Sequence, residues 1–165
     1  MQIAKGKIGF VYDFVCIDKG IEVWHDRIEN LIPDEGRDYI LEAAMNSGAQ
    51  FNEWYIALFE ASRYPVAADT VATLITASTE CTDYDGVRQY LSVLELVNGV
   101  YSNWQTPAEF EFTDNITISG GFITSSSAFG SSSGPLLSAG LLPTSRAMST
   151  GQKLMVTAGL SLVPV

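Results

Sequence analysis

The sequence predicts a mainly β chain, an antiparallel β-sandwich or jelly roll with one short helix near residues 34–46. Three observations carry that expectation. Short runs rich in β-branched and aromatic residues recur, with turn chemistry about every 10–15 residues. Only one segment has a clear helical period. Every acidic residue lies at or before Asp114: the first 114 residues hold 19 acids and 7 bases, net −12, and the last 51 hold no acid and 2 bases, Arg146 and Lys153. A solvated surface mixes both signs along its length. A tail with no acid and only two bases that keeps strand patterning is therefore expected to be buried, in the core and against other subunits.

The elements follow in order. Residues 8–17 suit a pleated surface, Asp18-Lys19-Gly20 supplies a turn, and residues 21–25 alternate, with Ile21, Val23 and His25 on one face and Glu22 and Trp24 on the other. Together they read as a hairpin. In residues 34–46, Gly36, Tyr39, Ile40, Ala43 and Ala44 form one helical stripe. Pro33 precedes them, Asp34, Glu35 and Asp38 crowd the first turn, where the helix dipole favours anions, and Asn46-Ser47-Gly48 ends the helix. Residues 53–60 form an apolar run of strand length. Residues 62–86 read as a long ordered loop. Residues 87–97 are expected as a strand, closed by the hairpin signal Asn98-Gly99. Residues 108–113 alternate, with Phe110 and Phe112 inward. Residues 115–124 form a strand whose central Gly120-Gly121 pair implies a bulge or a close backbone approach. Residues 125–134 are a Ser/Gly loop with Phe129 at its tip, and residues 135–142 and 152–163 are the last strands. Seven or eight strands result, in a single domain spanning residues 1–165.

Composition narrows the function classes. Charged residues are 17%, the net charge is −10 and the pI is about 4.3. Such a surface opposes nucleic-acid binding, which needs a basic face, and favours a basic protein partner. No apolar run approaches the ~20 residues that span a bilayer. The acids Asp13 and Asp18 interrupt any signal-peptide core after Lys5 and Lys7. No membrane association and a cytoplasmic site of assembly are expected. Cys16 and Cys81 make no disulfide framework and read as buried free thiols.

Constellations that carry chemistry are weak. His25 and Asp26, adjacent on a strand, point to opposite faces, so Asp26 does not orient His25 for catalysis. The acids Asp34, Glu35 and Asp38, and the trio Glu80, Asp83 and Asp85 before Gly86, echo a carboxylate pair or a calcium loop but lack its spacing and its terminal Glu. The glycines fit no phosphate-binding pattern. No catalytic residue, metal or cofactor is expected. Trp24, Trp54 and Trp104 read as core anchors. Phe129, alone among serines and glycines, reads as an exposed contact residue. With Lys5 and Lys7 it makes the set of candidate partner-contact residues.

The order of several short pieces resembles small virion proteins of tailed bacteriophages, many of them short-tailed. The pieces are Gly6-Lys7 before a strand, the run from Val23-Trp24-His25-Asp26 to Leu31-Ile32 before the helix, and Trp54-Tyr55-Ile56-Ala57-Leu58-Phe59. Ala68-Asp69-Thr70, Thr79-Glu80, Arg88 and Ile118-Ser119-Gly120-Gly121-Phe122-Ile123 follow. Gly134-Pro135-Leu136-Leu137-Ser138-Ala139-Gly140-Leu141 and Gly151-Gln152-Lys153-Leu154-Met155-Val156-Thr157 complete the set. The resemblance spans nearly the whole chain. It implies a capsid cement (decoration) protein with a jelly-roll domain, seated on the outer capsid surface over junctions of the major capsid protein. A homodimer on the shell is expected with it. The family carries a longer, small-residue segment where this chain has residues 76–104. In this expectation the acidic first part meets solvent and basic capsid loops, and the uncharged last part supplies strand edges and apolar contacts. The alternatives are a tail or fibre component that binds a host receptor, which predicts a trimer, and a glycan hydrolase, which needs paired carboxylates in a cleft.

Overall fold

The computed structural model describes residues 6–46, 50–92 and 94–164. It is mainly β, with two antiparallel sheets packed face to face. The strands are β1 (Gly6–Asp18), β2 (Ile21–Asn30), β3 (Tyr55–Phe59), β4 (Gln89–Tyr90), β5 (Glu95–Val97), β6 (Val100–Ser102), β7 (Ala108–Glu111), β8 (Ile116–Thr124), β9 (Leu136–Met148) and β10 (Lys153–Pro164). The helices are α1 (Asp34–Met45) and α2 (Val71–Ser78).

The first sheet runs β2-β1-β10-β6-β5, with β7 also on β10. The predicted hairpin forms: Lys19 and Gly20 take φ of 49° and 82° at its turn. Its faces differ from the simple alternation, because the register shifts between Cys16 and Ile17. Ile21 and Val23 are exposed, and Trp24 and Ile28 turn to the core. Strand β10 pairs along β1 on one side; on the other, β7 takes Lys153–Val156 and β6 takes Gly159–Ser161. Buried Asn103 splices that gap. Its amide donates to the Val156 carbonyl at 3.2 Å and its oxygen accepts from the Ala158 N–H at 2.7 Å. Two backbone groups that lose a ladder partner are thereby satisfied.

The second sheet runs β4-β3-β8-β9. Ile56, Leu58, Ile118 and Ile123 face β1, β7 and β10 in the main core, with Tyr12, Phe14, Phe110 and Val156. Ala57, Phe59 and Phe122 point the other way, onto Val71 and Leu74 of α2. The sheet is thus covered on both faces, which is why its strands read as unbroken apolar runs rather than alternating ones. Gly120 and Gly121 behave as their pairing implies. The ladder slips between Ile118 and Gly120, and a Cβ on Gly120 would overlap the Gly140 carbonyl and the Phe59 ring.

Helix α2 replaces part of the loop expected over 62–86. It starts from a capping box built by Thr70 and Thr73, one residue type away from the usual Glu or Gln partner. Asp69 holds the approach. Its carboxylate accepts two bonds from Arg63, both 2.8 Å, one from the Val66 N–H at 2.8 Å and one from the Thr73 hydroxyl at 3.3 Å. Burial alone raises the Asp69 pKa, but these donors overcome it and leave the carboxyl below its ordinary value. A lowered folded pKa adds stability above the unfolded value of about 4, and that stability is lost as pH falls through the folded pKa. Asp69→Asn is expected to cost about 1–3 kcal/mol at pH 7 and to flatten the acid limb of stability against pH in urea titrations.

The segment 87–97 is not one strand. It crosses from the second sheet at β4 to the first at β5, with Leu91 and Leu94 turned into the core. Asn98-Gly99 then makes the expected hairpin turn, both residues with positive φ. Among the described residues ten strands form where seven or eight were expected. Several of the extra ones are only two or three residues long.

Candidate functional site

Much of the acid-free tail is interior. Strand β10 sits inside the first sheet, and the described stretch from Ser119 to Thr124 and from Pro135 to Gly140 is buried without a break. Its two bases reach back to earlier acids. Arg146 makes a two-pronged bond to Asp26, 2.8 and 3.0 Å, while its guanidinium lies 5.1 Å from the Trp24 ring. Lys153 meets Glu109 and Glu111 at 2.5 and 3.3 Å. Among the described residues, every large apolar side chain left exposed lies at or before Trp104. The exposed large apolar side chains thus lie in the acidic part, while the acid-free tail supplies much of the core.

That apolar surface has a focus. A cavity of about 160 Å³ opens between the sheets beside α1 and is lined almost wholly by carbon. Tyr39 and Ile40 come from α1, Trp54 from the lead into β3, Leu91 and Leu94 from the crossover, and Tyr101 from β6; Ile123, Leu137 and Ala158 form the floor. Tyr39, Phe51 and Trp54 pack ring against ring at centroid distances of 5.1–6.1 Å, and the Tyr39 hydroxyl accepts from the Phe51 N–H at 3.0 Å. Tyr101 is exposed at the cavity, as are Phe51, which packs on Tyr39 and Trp54, and Leu96, which pairs with Tyr101. Trp104 was expected in the core. It falls on the turn after β6, outside both sheets, and 55% of it is exposed.

An acidic hollow adjoins the cavity and shares Tyr39 with it; Glu35, Asp38, Glu42 and Phe51 line it. Helix α1 carries four acids and one base, Arg37, which pairs with Asp34 at 2.9 Å and Asp38 at 3.2 Å. Glu35 accepts from the Leu136 N–H at 2.9 Å, and Glu42 makes no ion pair among the described residues.

The sequence-predicted residues fall elsewhere. Phe129 is not an exposed tip. It folds down onto the core, its ring 5.3 Å from Tyr84, because its loop is pinned from below. Arg88, with 0% of its side chain exposed, donates to Glu80 at 2.6 and 2.9 Å and to the carbonyls of Ser126 and Ser131 at 3.1 and 2.9 Å. Glu80 also accepts from the Gly130 N–H at 2.8 Å. Lys5 and the side chain of Lys7 lie outside the described residues; the Lys7 backbone pairs with Val163.

Glu80 is thus consumed by Arg88, and the acidic trio does not assemble. Asp83 instead approaches Glu60 and Cys81, with donor atoms within 4.8 Å of one another. Burial, then Asp83, raises the Glu60 carboxyl. Burial chiefly pushes the Cys81 thiol up to about 11, so it stays protonated at neutral pH, the reverse of a reactive or ligating thiolate. His25 is exposed and lies 3.1 Å from Asp13 across the hairpin, not from Asp26. Both cysteines are free and buried.

Among the described residues no helix is long and apolar enough to cross a membrane. Compared with known proteins, the chain matches no family model and no curated sequence.

Proposed function

We propose that this chain is a non-catalytic virion protein that cements a bacteriophage capsid, binding the outer shell at junctions of the major capsid protein. The observation that carries this reading is the open apolar cavity beside α1, with exposed Phe51, Leu96 and Tyr101 next to it, on a chain of net charge −10. Single exposed apolar residues are ordinary, but a cluster beside a cavity marks a contact surface. Acidic surroundings favour a basic partner surface and speed encounter with it. The sequence resemblance points the same way, since its pieces span the chain in order.

The buried core of β8, β9 and β10 supplies a rigid base for that face and no covalent chemistry is invoked. A lasting clamp on the shell would bury at least ~1,000 Å². A dimer bridging neighbouring capsid subunits gives each copy two such contacts.

The test is direct. Purified protein is mixed with expanded, undecorated capsids and sedimented. Saturable co-sedimentation and a raised capsid disruption temperature are expected; no binding at saturating concentration sinks the reading. A trimer in light scattering together with binding to host cells would assign the chain to the tail instead.

A further inference from the structure

We propose that the α1 cavity is a socket for one aliphatic or aromatic side chain of a partner protein segment, held beside a lysine or arginine that enters the acidic hollow of Glu35, Asp38 and Glu42. The inference deepens the contact reading above by naming what the contact face recognises.

Size sets the first half. The cavity holds about 160 Å³, close to the ~150 Å³ of an apolar engineered cavity that stays dry and takes up benzene. One leucyl, isoleucyl or phenyl group fills such a space; a helix or strand does not enter it. The walls are Ile40, Trp54, Leu91, Leu94 and Leu137, so the occupant gains by leaving water rather than by hydrogen bonding.

Charge sets the second half. The hollow shares Tyr39 with the cavity and is lined by three carboxylates. Arg37 answers Asp34 and Asp38, and the helix keeps a net charge of −3 from four acids and one base. Glu53 and Glu95 flank the wall residues Trp54 and Leu94 in sequence. A second copy of this chain, at net −10, meets this rim with like charge. A basic segment meets it with opposite charge, and its apolar anchor is then carried to the mouth. The two halves meet at Tyr39, which lines both, so neighbouring residues of one partner segment reach both.

Methyl-resolved NMR on the intact protein tests this with the peptides acetyl-Lys-Lys-Leu-Lys-Lys-amide, its Leu→Ala form and acetyl-Glu-Glu-Leu-Glu-Glu-amide. The leucine-lysine peptide is expected to shift the Ile40, Leu91, Leu94 and Leu137 methyls saturably. The affinity should drop at least fivefold for the alanine and for the glutamate peptide, and severalfold in 0.5 M salt. Glu42→Lys, an exposed change, should weaken the lysine peptide and spare the fold. Ala158→Leu narrows the floor and should displace the leucine peptide; if it unfolds, Glu42→Lys and the peptide series still decide. Equal shifts from all three peptides, or none at 10 mM, overturn the proposal. Methyl shifts that track protein concentration without peptide also overturn it, by assigning the socket to a second copy. Capsid co-sedimentation is read separately, so loss of the socket and loss of the cement function are distinguishable results.

Discussion

Arg88→Met is expected to destabilise the protein by about 3–5 kcal/mol, the usual cost of leaving one partner of a buried ion pair without the other. Neither group has water to fall back on: the exposures are 0% for the Arg88 side chain and 5% for Glu80. The guanidinium joins three separate stretches of chain, since it bonds Glu80 at the end of α2 and the carbonyls of Ser126 and Ser131 in the loop before β9. The Arg88 backbone N–H adds a bond to Ser127 at 3.1 Å. Its face also rests 5.3 Å from the Phe122 ring. The loss therefore has a local signature. The loop that holds Phe129 on Tyr84 should loosen, seen as faster amide exchange at Ser126–Ser131. Replacing both partners, Arg88→Met with Glu80→Leu, should cost less than Arg88→Met alone, because no buried charge is then left unpaired. Equilibrium urea unfolding of the three proteins measures this. A single variant within about 1 kcal/mol of the parent would show that the pair adds no net stability.

That knot was invisible in the chain order. Glu80 stood among Asp83 and Asp85 and read as one member of an acidic loop; nothing local marks it as the partner of a residue eight positions on. What sequence order did reveal is what local chemistry controls. The Asp18-Lys19-Gly20 turn, the α1 helix and the Asn98-Gly99 turn each rest on neighbours in the chain and form as read, though Ala44 of the α1 stripe is exposed. Helix α2 escaped because Val71, Thr73, Ile75 and Thr76 favour strands. It is fixed instead by Val71 and Leu74 packing on Phe59 and Phe122, and by a Thr–Thr cap in place of the usual signature. Packing overrode propensity there, as it did where 87–97 broke to cross between sheets.

The candidate socket was hidden for a related reason. Its walls come from β1, α1, the lead into β3, the crossover, β6, β8, β9 and β10, so no one stretch of sequence shows it. Phe129, by contrast, looked exposed because its own loop is polar; the ring that covers it, Tyr84, lies 45 positions away.

Truncation after Asp114 is expected to abolish folding, and the reason differs from a loss of surface. The tail supplies β8, β9 and β10. Without β10, the β1–β2 hairpin loses its link to β6 and β7, so the first sheet falls into separate pieces. Without β8 and β9, the second sheet keeps only β3 and the two-residue β4, since β3 pairs β4 by two residues and β8 by five. Among the described residues, 11 of the 28 buried apolar side chains lie beyond Asp114. Nine of them are Ile, Leu, Val, Phe or Met; even at about 1.5 kcal/mol each their loss comes to about 13 kcal/mol, roughly the whole stability of a domain. The fragment 1–114 would also expose the undersides of Tyr12, Phe14, Leu58 and Phe110 while keeping all 19 acids. It should therefore be soluble only in denaturant or as aggregates, with no cooperative unfolding transition. A monomeric 1–114 fragment with dispersed methyl resonances would show that the acidic part holds its own core. The absence of acid after Asp114 would then need a cause on the surface rather than in the interior.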